Sequence, residues 1–187
     1  RGVAYWSDGQ GDDRIYVITP AYHMVALDAH TGREIESFGT NGVVDLRLEL
    51  DRPVDLIEDV IGSSSPPVIA RDVIVVGAAL AVGSRPPSME NVPGHVRGYD
   101  VRTGERKWIF HTIPQEGEYG NETWEDGSWE YTGNAAVWPP FTVDLELGYV
   151  YLPVEDATGD YYGGHRPGDN LFSSSLVALN VETGERI

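Results

Sequence analysis

The chain predicts an all-β fold assembled from a repeated four-stranded unit, and three observations carry that expectation. First, one phrase occurs three times. Val25-Ala26-Leu27-Asp28-Ala29-His30-Thr31-Gly32 returns as Arg97-Gly98-Tyr99-Asp100-Val101-Arg102-Thr103-Gly104 and again as Val177-Ala178-Leu179-Asn180-Val181-Glu182-Thr183-Gly184. Repetition at intervals of tens of residues marks a repeat architecture. Second, the apolar segments are short, rich in β-branched and aromatic residues, and bounded by turn residues, as in residues 72–80 and 148–154. Third, no segment of helical length holds an apolar 3.6-residue period, and 22 Gly and 12 Pro would interrupt most candidates.

Each repeat phrase reads as strand, turn, strand. The Asp or Asn side chain can accept backbone N–H bonds, and the Gly four residues later takes a positive φ. In the second copy the outgoing strand, residues 105–111, carries Trp108, a large ring suited to docking on the next repeat with its N–H on a backbone acceptor. A complete unit then comprises strands at 65–69, 73–80, 95–101 and 105–111. The order restarts at 136–143, 148–155 and 174–181, and three strands of an earlier unit lie at 14–19, 23–29 and 33–38. Four antiparallel strands per repeat is the blade of a β-propeller. The Thr-Gly pairs lie 72 and 80 residues apart, longer than the roughly 40–45 of compact blades. The excess is loop at 53–64, 83–94 and 114–133. The expected organisation is about two and a half blades of one propeller: 1–45 ends one blade, 60–113 is a full blade, 114–133 is a long loop and 134–187 is an incomplete blade. Because a closed propeller needs at least about four blades, the chain is expected to be an internal piece of a longer protein.

Composition narrows the function. A net charge of -17 argues against nucleic acid and against an anionic membrane surface. Absence of Cys excludes disulfides and thiolate metal sites within these residues. No apolar run approaches the roughly 20 residues of a membrane-spanning helix, and a targeting segment could lie only upstream of Arg1. Residues 108–165 contain 11 acidic side chains and no Lys or Arg. They read either as a solvated acidic surface or as carboxylates balancing a hard cation such as calcium. The five His show no metal-like spacing. The Gly-rich stretch 163–169 lacks the strand-to-helix context of a phosphate cradle and reads as a rim loop.

The repeat phrase with its outgoing Trp resembles the tryptophan-docking motif of quinoprotein alcohol dehydrogenases, eight-bladed propellers that bind pyrroloquinoline quinone (PQQ). Collinear phrases extend the resemblance over essentially the whole chain: Arg1-Gly2-Val3-Ala4-Tyr5-Trp6, Phe38-Gly39 with Asn41-Gly42-Val43-Val44-Asp45-Leu46, Ser65-Pro66-Pro67, Val96-Arg97-Gly98-Tyr99-Asp100, Tyr149-Val150-Tyr151-Leu152-Pro153 and Asp160-Tyr161-Tyr162-Gly163-Gly164-His165-Arg166. They are similar above all to the branch of membrane-bound glucose dehydrogenase and quinate/shikimate dehydrogenase.

The resemblance implies roles. Arg1 matches an Arg that approaches the cofactor's carboxylates, which a guanidinium can pair bidentately; the alternative is a structural surface Arg. Ser64 stands where relatives use a hydroxyl to bond the quinone, or else it is a turn hydroxyl. Trp138 matches the tryptophan floor beneath the planar cofactor, its alternative being a blade-core Trp. Thr158 matches a cofactor-contacting Thr of the glucose dehydrogenase branch, and Trp6 takes the place of a substrate-side His there. For the metal, Ca²⁺ or Mg²⁺, a family Glu ligand aligns with Val82 and an Asn ligand with Asp156, which leaves Asp156 as the candidate. The family's catalytic base is an Asp expected about a dozen residues beyond Ile187, one strand and a loop further on, so no catalytic residue is assigned within the chain.

The function so implied is part of a periplasmic PQQ-dependent dehydrogenase, with any membrane anchor in a segment outside this chain, that oxidises a polyol or sugar-like alcohol and passes electrons to membrane ubiquinone. Two alternatives stand beside it. One is a non-catalytic eight-bladed scaffold of the outer-membrane assembly lipoprotein type, since fold alone does not determine function. The other is a cytochrome c-linked quinoprotein alcohol dehydrogenase.

Overall fold

The structure is a computed structural model that describes residues 2–55, 61–63, 65–80, 89–138, 140–159 and 161–187. It is built of antiparallel sheets. The first contains β1 (Val3–Ser7), β2 (Asp13–Ile18), β3 (His23–Asp28) and β4 (Val43–Asp45), each paired with the next in sequence. A short pair, β5 (Ile61–Gly62) with β8 (Ala79–Leu80), flanks the second sheet. That sheet runs β6 (Val68–Ala70), β7 (Val73–Val76), β9 (Val96–Asp100), β10 (Arg106–Phe110). The third holds β11 (Thr142–Asp144), β12 (Tyr149–Val154) and β13 (Ser175–Asn180). Beyond β13 the bridge between Leu179 and Arg186 starts an outgoing segment.

Burial explains the patterning. In β7 all four residues are buried because the strand has a sheet on each side. Val73 and Val75 enter the core shared with the third sheet, whereas Ile74 and Val76 enter the core shared with the first. A strand covered on both faces loses the polar alternation of a half-exposed one. By contrast β3, at the side of the assembly, alternates and buries Met24 and Ala26 only on the inner face.

The first sheet departs from the sequence expectation. Residues 33–38 do not form its outer strand. Only the bridge between Leu27 and Glu34 remains, and the chain then turns, with Phe38 N–H donating to Ile35 O at 2.9 Å. Strict alternation would point Ile35 and Phe38 to opposite faces; the turn brings both inward, and Phe38 is fully buried. β4 supplies the outer strand and β1 opens the sheet on the other side. Likewise, among the described residues of 136–143, strand is confined to the segment that β11 (Thr142–Asp144) begins, and Pro140 just before it has no N–H to give a ladder. The long loop 114–133 contains two short 3-10 turns, Asn121–Thr123 and Glu125–Glu130, that carry Trp124 into the core.

The three Thr-Gly turns are chemically the same object. Asp28 Oδ1 accepts from the N–H groups of His30 and Thr31 at 3.0 and 2.7 Å, Asp100 Oδ1 from Arg102 and Thr103 at 2.8 and 2.9 Å, and Asn180 Oδ1 from Glu182 and Thr183 at 2.9 and 3.2 Å. Each following glycine returns its N–H to the carbonyl of that Asp or Asn at 2.8–2.9 Å. Asp144 repeats the arrangement in the β11–β12 turn, accepting from Glu146 and Leu147.

These turns also join the sheets. The ring of Trp108 lies on Gly184, where an added Cβ would come within 2.7 Å of Trp108 Cγ, and the indole N–H donates to Val181 O at 2.9 Å. At the preceding junction Phe38 lies on Gly104, 3.1 Å from an added Cβ, while Tyr16 Oη donates to Val101 O at 2.6 Å. Phe38 and Tyr16 together therefore do what Trp108 does alone. The positive φ of each glycine, 75° in both cases, shapes the turn, and the missing side chain admits the ring. Trp108→Ala is expected to lower the stability of the full-length protein by about 3–5 kcal/mol, read as a fall in the denaturation midpoint; a change below about 1 kcal/mol would show that the ring is not what joins the sheets.

His95, at the entrance to β9, is fully buried, and its Nδ1 accepts from Thr112 N–H at 3.2 Å, which leaves the proton on Nε2. Burial, followed by the nearby His111, Arg52 and Arg97, pushes its pKa well below the usual imidazole value. The unfolded chain therefore binds a proton at higher pH than the folded one, and the contribution of His95 to stability is lost as pH falls below about 6.5. Urea midpoints measured from pH 7.5 to 5 should fall less steeply in His95→Gln than in the wild type; parallel slopes would contradict this.

Candidate cofactor site

The Thr-Gly turns occupy one end of the sheets. At the opposite end three edge strands, β1, β6 and β11, begin, and three of their neighbours, β2, β7 and β12, finish. Contacts between the incoming segments draw this end together. Gly2, just before β1, lies 3.5 Å from Pro66 Cγ by its added Cβ. Ser65, ahead of β6, donates its hydroxyl to the carbonyl of Trp138, ahead of β11. Arg1 and Ser64 lie outside the described residues, so their neighbours Gly2 and Ser65 are what the structure places here.

The segment 133–138 is fixed from both sides. Asn134 bridges to Pro93 and to Ala157. Glu155 N–H donates to Ala136 O at 2.9 Å, and Thr158 N–H to Gly133 O at 3.1 Å. On its far flank the segment crosses the end of β7 so closely that a Cβ at Gly77 would collide with the carbonyl of Val137. Trp138 thus leaves a rigid strip, yet its own side chain is 46% exposed. Its indole N–H donates to Glu155 Oε2, while Glu155 Oε1 accepts from Asn134 Nδ2 at 3.0 Å.

Thr158 and Asp156 come to the same place after β12. Thr158 is 4% exposed, and its hydroxyl has no hydrogen-bond partner among the described residues; the same holds for Asn134 Oδ1. Buried polar atoms normally have partners; these two oxygens belong to the segments that hold Trp138, Asn134 through Glu155 and Thr158 through Gly133, and such a set fits a flat, polar, aromatic ligand. The chemistry of PQQ fits these residues: a fused ring system to lie on Trp138 and quinone or carboxylate oxygens to engage hydroxyl and amide groups.

Asp156 is in a different situation. Its Oδ1 accepts from Ser173 Oγ at 2.7 Å and Ala157 N–H at 3.1 Å and pairs with Arg166 Nη2 at 3.2 Å. Arg166 is anchored in turn on Asn170 Oδ1 at 2.9 Å. Among the described residues no group of three or more His, Cys, Asp or Glu side chains could hold a metal ion; Val82 lies outside them. The described donors around Asp156 therefore fit a guanidinium and do not form a divalent-cation cage.

Trp6 is not brought to this end. It sits toward the far end of β1 from Gly2, roughly 13 Å along the strand. There it is buried between the first two sheets, donates Nε1–H to Asp72 Oδ1 at 3.1 Å, and carries the Arg102 guanidinium 4.6 Å over its ring. The structure gives it a place at the turn end of the inter-sheet seam. Conversely, Glu155, Asn134 and Arg166 belong to the site although the sequence reading assigned them no role there. The available signal was positional, since Glu155 directly follows the alternating strand β12.

The profile of the PQQ glucose/ethanol/alcohol dehydrogenase β-propeller domain matches residues 1–187. The chain belongs to this family. Among curated relatives of this PQQ propeller, the glycerol dehydrogenase large subunit of Gluconobacter oxydans is 32% identical over 98% of the chain and 24% of its own length. The quinoprotein glucose dehydrogenase of Escherichia coli is 32% identical over 87% of the chain and 19% of its own length. Among solved structures, a quinohemoprotein alcohol dehydrogenase from Pseudomonas putida is 29% identical and superposes on the whole chain with a TM-score of 0.72, covering 25% of that protein. The chain thus spans about a quarter or less of the length of these relatives.

For the site itself, Arg166→Leu should destabilise the full-length PQQ propeller by about 1–3 kcal/mol, because it strips a part-buried carboxylate and Asn170 of a common partner. Chemical denaturation measures this, and an unchanged midpoint would show that Asp156 does not depend on Arg166.

Proposed function

We propose that this chain forms part of the cofactor face of a periplasmic PQQ-dependent dehydrogenase that oxidises a polyol or sugar-like alcohol and delivers electrons to a membrane quinone. The observation that carries the reading is the half-exposed Trp138, tied through Glu155 to Asn134, together with the buried oxygens of Asn134 and Thr158 that have no partner among the described residues at the same end of the sheets. A scaffold propeller has no use for such an arrangement, whereas a planar quinone does. The similarity to glycerol and glucose dehydrogenases supports a polyhydroxylated substrate.

When bound, PQQ supplies the electron-accepting carbonyl for oxidation of a CH–OH group. What this chain contributes is placement. Trp138 offers one flat face, and the Thr158 hydroxyl and Asn134 amide oxygen would be the groups to engage polar atoms of the cofactor. Arg1 and Ser64 are proposed to contribute a guanidinium and a hydroxyl to cofactor binding. The indole N–H is held by Glu155 and the Trp138 carbonyl by Ser65, so the platform has its geometry before the ligand arrives, which reduces the ordering cost of binding. The general base is proposed to come from an Asp after Ile187. The described donors do not form a cage for a divalent cation.

The test uses full-length apoprotein and added PQQ. Saturable PQQ binding and dye-linked oxidation of glycerol, sorbitol or glucose in preference to short monohydric alcohols are expected. Bound PQQ with oxidation of the monohydric alcohols alone would overturn the substrate class, and absence of PQQ binding would overturn the cofactor assignment. Trp138→Ala should weaken PQQ binding by roughly tenfold or more, the scale of one lost stacking partner.

A further inference from the structure

Trp138 is 46% exposed, too open for packing alone to fix the plane of its indole. In this structure the plane is set by hydrogen bonds. The Trp138 N–H is held by Glu155 Oε2, and the Trp138 carbonyl is held by the Ser65 hydroxyl. Glu155 is itself held at its other oxygen by Asn134 Nδ2, 3.0 Å away. That amide nitrogen also donates to the carbonyl of Asp156 at 3.0 Å. Asn134 is 6% exposed and its backbone bridges to Pro93 on one side and Ala157 on the other. The carboxylate therefore ties an exposed aromatic ring to one of the most constrained residues at this end of the sheets.

We infer that Glu155 is a positioning residue for the cofactor, acting by locking the plane of the Trp138 indole. The inference rests on the reading that Trp138 is the platform under PQQ. Glu155 need not touch PQQ. It fixes one side chain whose face the ligand meets, and it transmits the rigidity of the 133–138 strip to that face. A free indole samples rotamers about two side-chain torsions, and selecting one of them at the moment of binding costs affinity. A carboxylate acceptor is well suited to this role because a charge-assisted N–H···O⁻ bond is stronger than a neutral one. Glutamine keeps an acceptor oxygen and the chain length, so Glu155→Gln preserves most of the lock, whereas Glu155→Leu removes it.

The measurement is the PQQ dissociation constant of the full-length apoprotein, followed by the absorbance change on titrating PQQ, in a thermodynamic cycle. One arm replaces Glu155 by Leu or Gln. The other replaces Trp138 by benzothienylalanine, which keeps the shape and stacking face of the indole and lacks its N–H. Glu155→Leu should weaken PQQ binding roughly tenfold, Glu155→Gln no more than about threefold, and the sulfur analogue at 138 roughly tenfold in the wild-type background. In the Glu155→Leu background the analogue should add nothing, because the bond it deletes is already gone.

Additive losses, or Gln as damaging as Leu, would mean that Glu155 acts other than through the indole N–H and would overturn the inference. Unchanged affinity in Glu155→Leu would do the same. If Glu155→Leu does not fold, the analogue in the wild-type background decides alone: wild-type affinity for PQQ would overturn the lock. Trp138→Ala separates this failure from failure of the underlying reading. Weakened binding in Trp138→Ala with full affinity in Glu155→Leu leaves the platform standing and removes only the lock, whereas full affinity in Trp138→Ala removes the platform and the lock with it.

Discussion

The seating of an aromatic ring on a turn glycine of the next sheet is the contact on which the rest of the molecule depends. Trp108 sits on Gly184 and Phe38 on Gly104, and in each case a polar group of the same sheet reaches the carbonyl one residue past the following strand. An antiparallel sheet with one apolar face can be stacked on a neighbour in several registers. A ring that must enter a gap only a glycine provides, while its sheet also finds one particular carbonyl, removes that freedom. The cost of a misplaced stack is a buried carbonyl without a donor and a ring without a seat. The turn phrase therefore makes the hairpin and also receives the preceding sheet.

That double use divides the sheets into two ends with different obligations. At the turn end the chemistry is occupied: Asp28, Asp100 and Asn180 hold their own backbones, Arg14 reaches across the seam to Val101 O while pairing with Asp12 beside it, and Arg102 pairs with Asp72 of its own sheet. At the other end the incoming segments carry fewer fixed duties, and there the exposed indole and the unpartnered oxygens of Thr158 and Asn134 occur. Loops on a rigid scaffold are where function is usually placed. Here the rigidity has an identifiable source, because the 133–138 strip is held between residues 91–94 and 155–158 and against the end of β7.

Features governed by local chemistry were legible in the sequence, and features governed by strand direction were not. The turns, the two-faced run of β7 and the docking of Trp108 follow from residues adjacent in the chain or from a repeated phrase. Membership of the PQQ propeller family was legible for the same reason. Trp6 and Trp138 show the limit. Both are tryptophans near an edge strand, yet one precedes its strand and the other lies toward the far end of its strand, so they face opposite ends of the sheets. Which end matters is decided by Asp72 and Ser65, on the neighbouring sheet. Residues 33–38 misled because apolar residues at Ile35 and Phe38 suit a turn as well as a strand once both must face inward. Glu155 was illegible because an acidic residue after a strand ordinarily means solvent; its partners Trp138 and Asn134 are 17 and 21 residues away and meet it only when the strip lies alongside.

The acidic stretch 108–165 sharpens the same point about partners that cannot be read in one dimension. By composition its carboxylates called for either water or a cation. The structure supplies cationic or hydrogen-bonding partners from the residues that flank or interrupt the stretch. Glu118 lies 2.8 Å from His111 Nδ1, and Asp156 is met by Arg166, the first basic residue after the stretch ends. Glu155, next to Asp156, has its oxygens engaged by an indole and an amide. Adjacent carboxylates thus divide the work: Asp156 ties the 161–174 loop to the end of β12 through Arg166 and Ser173, and Glu155 holds the indole of the platform. A cation placed between them would compete with Arg166 for Asp156 and with Trp138 for Glu155, so the described geometry favours a ligand that leaves both pairs intact and approaches the indole from its exposed face.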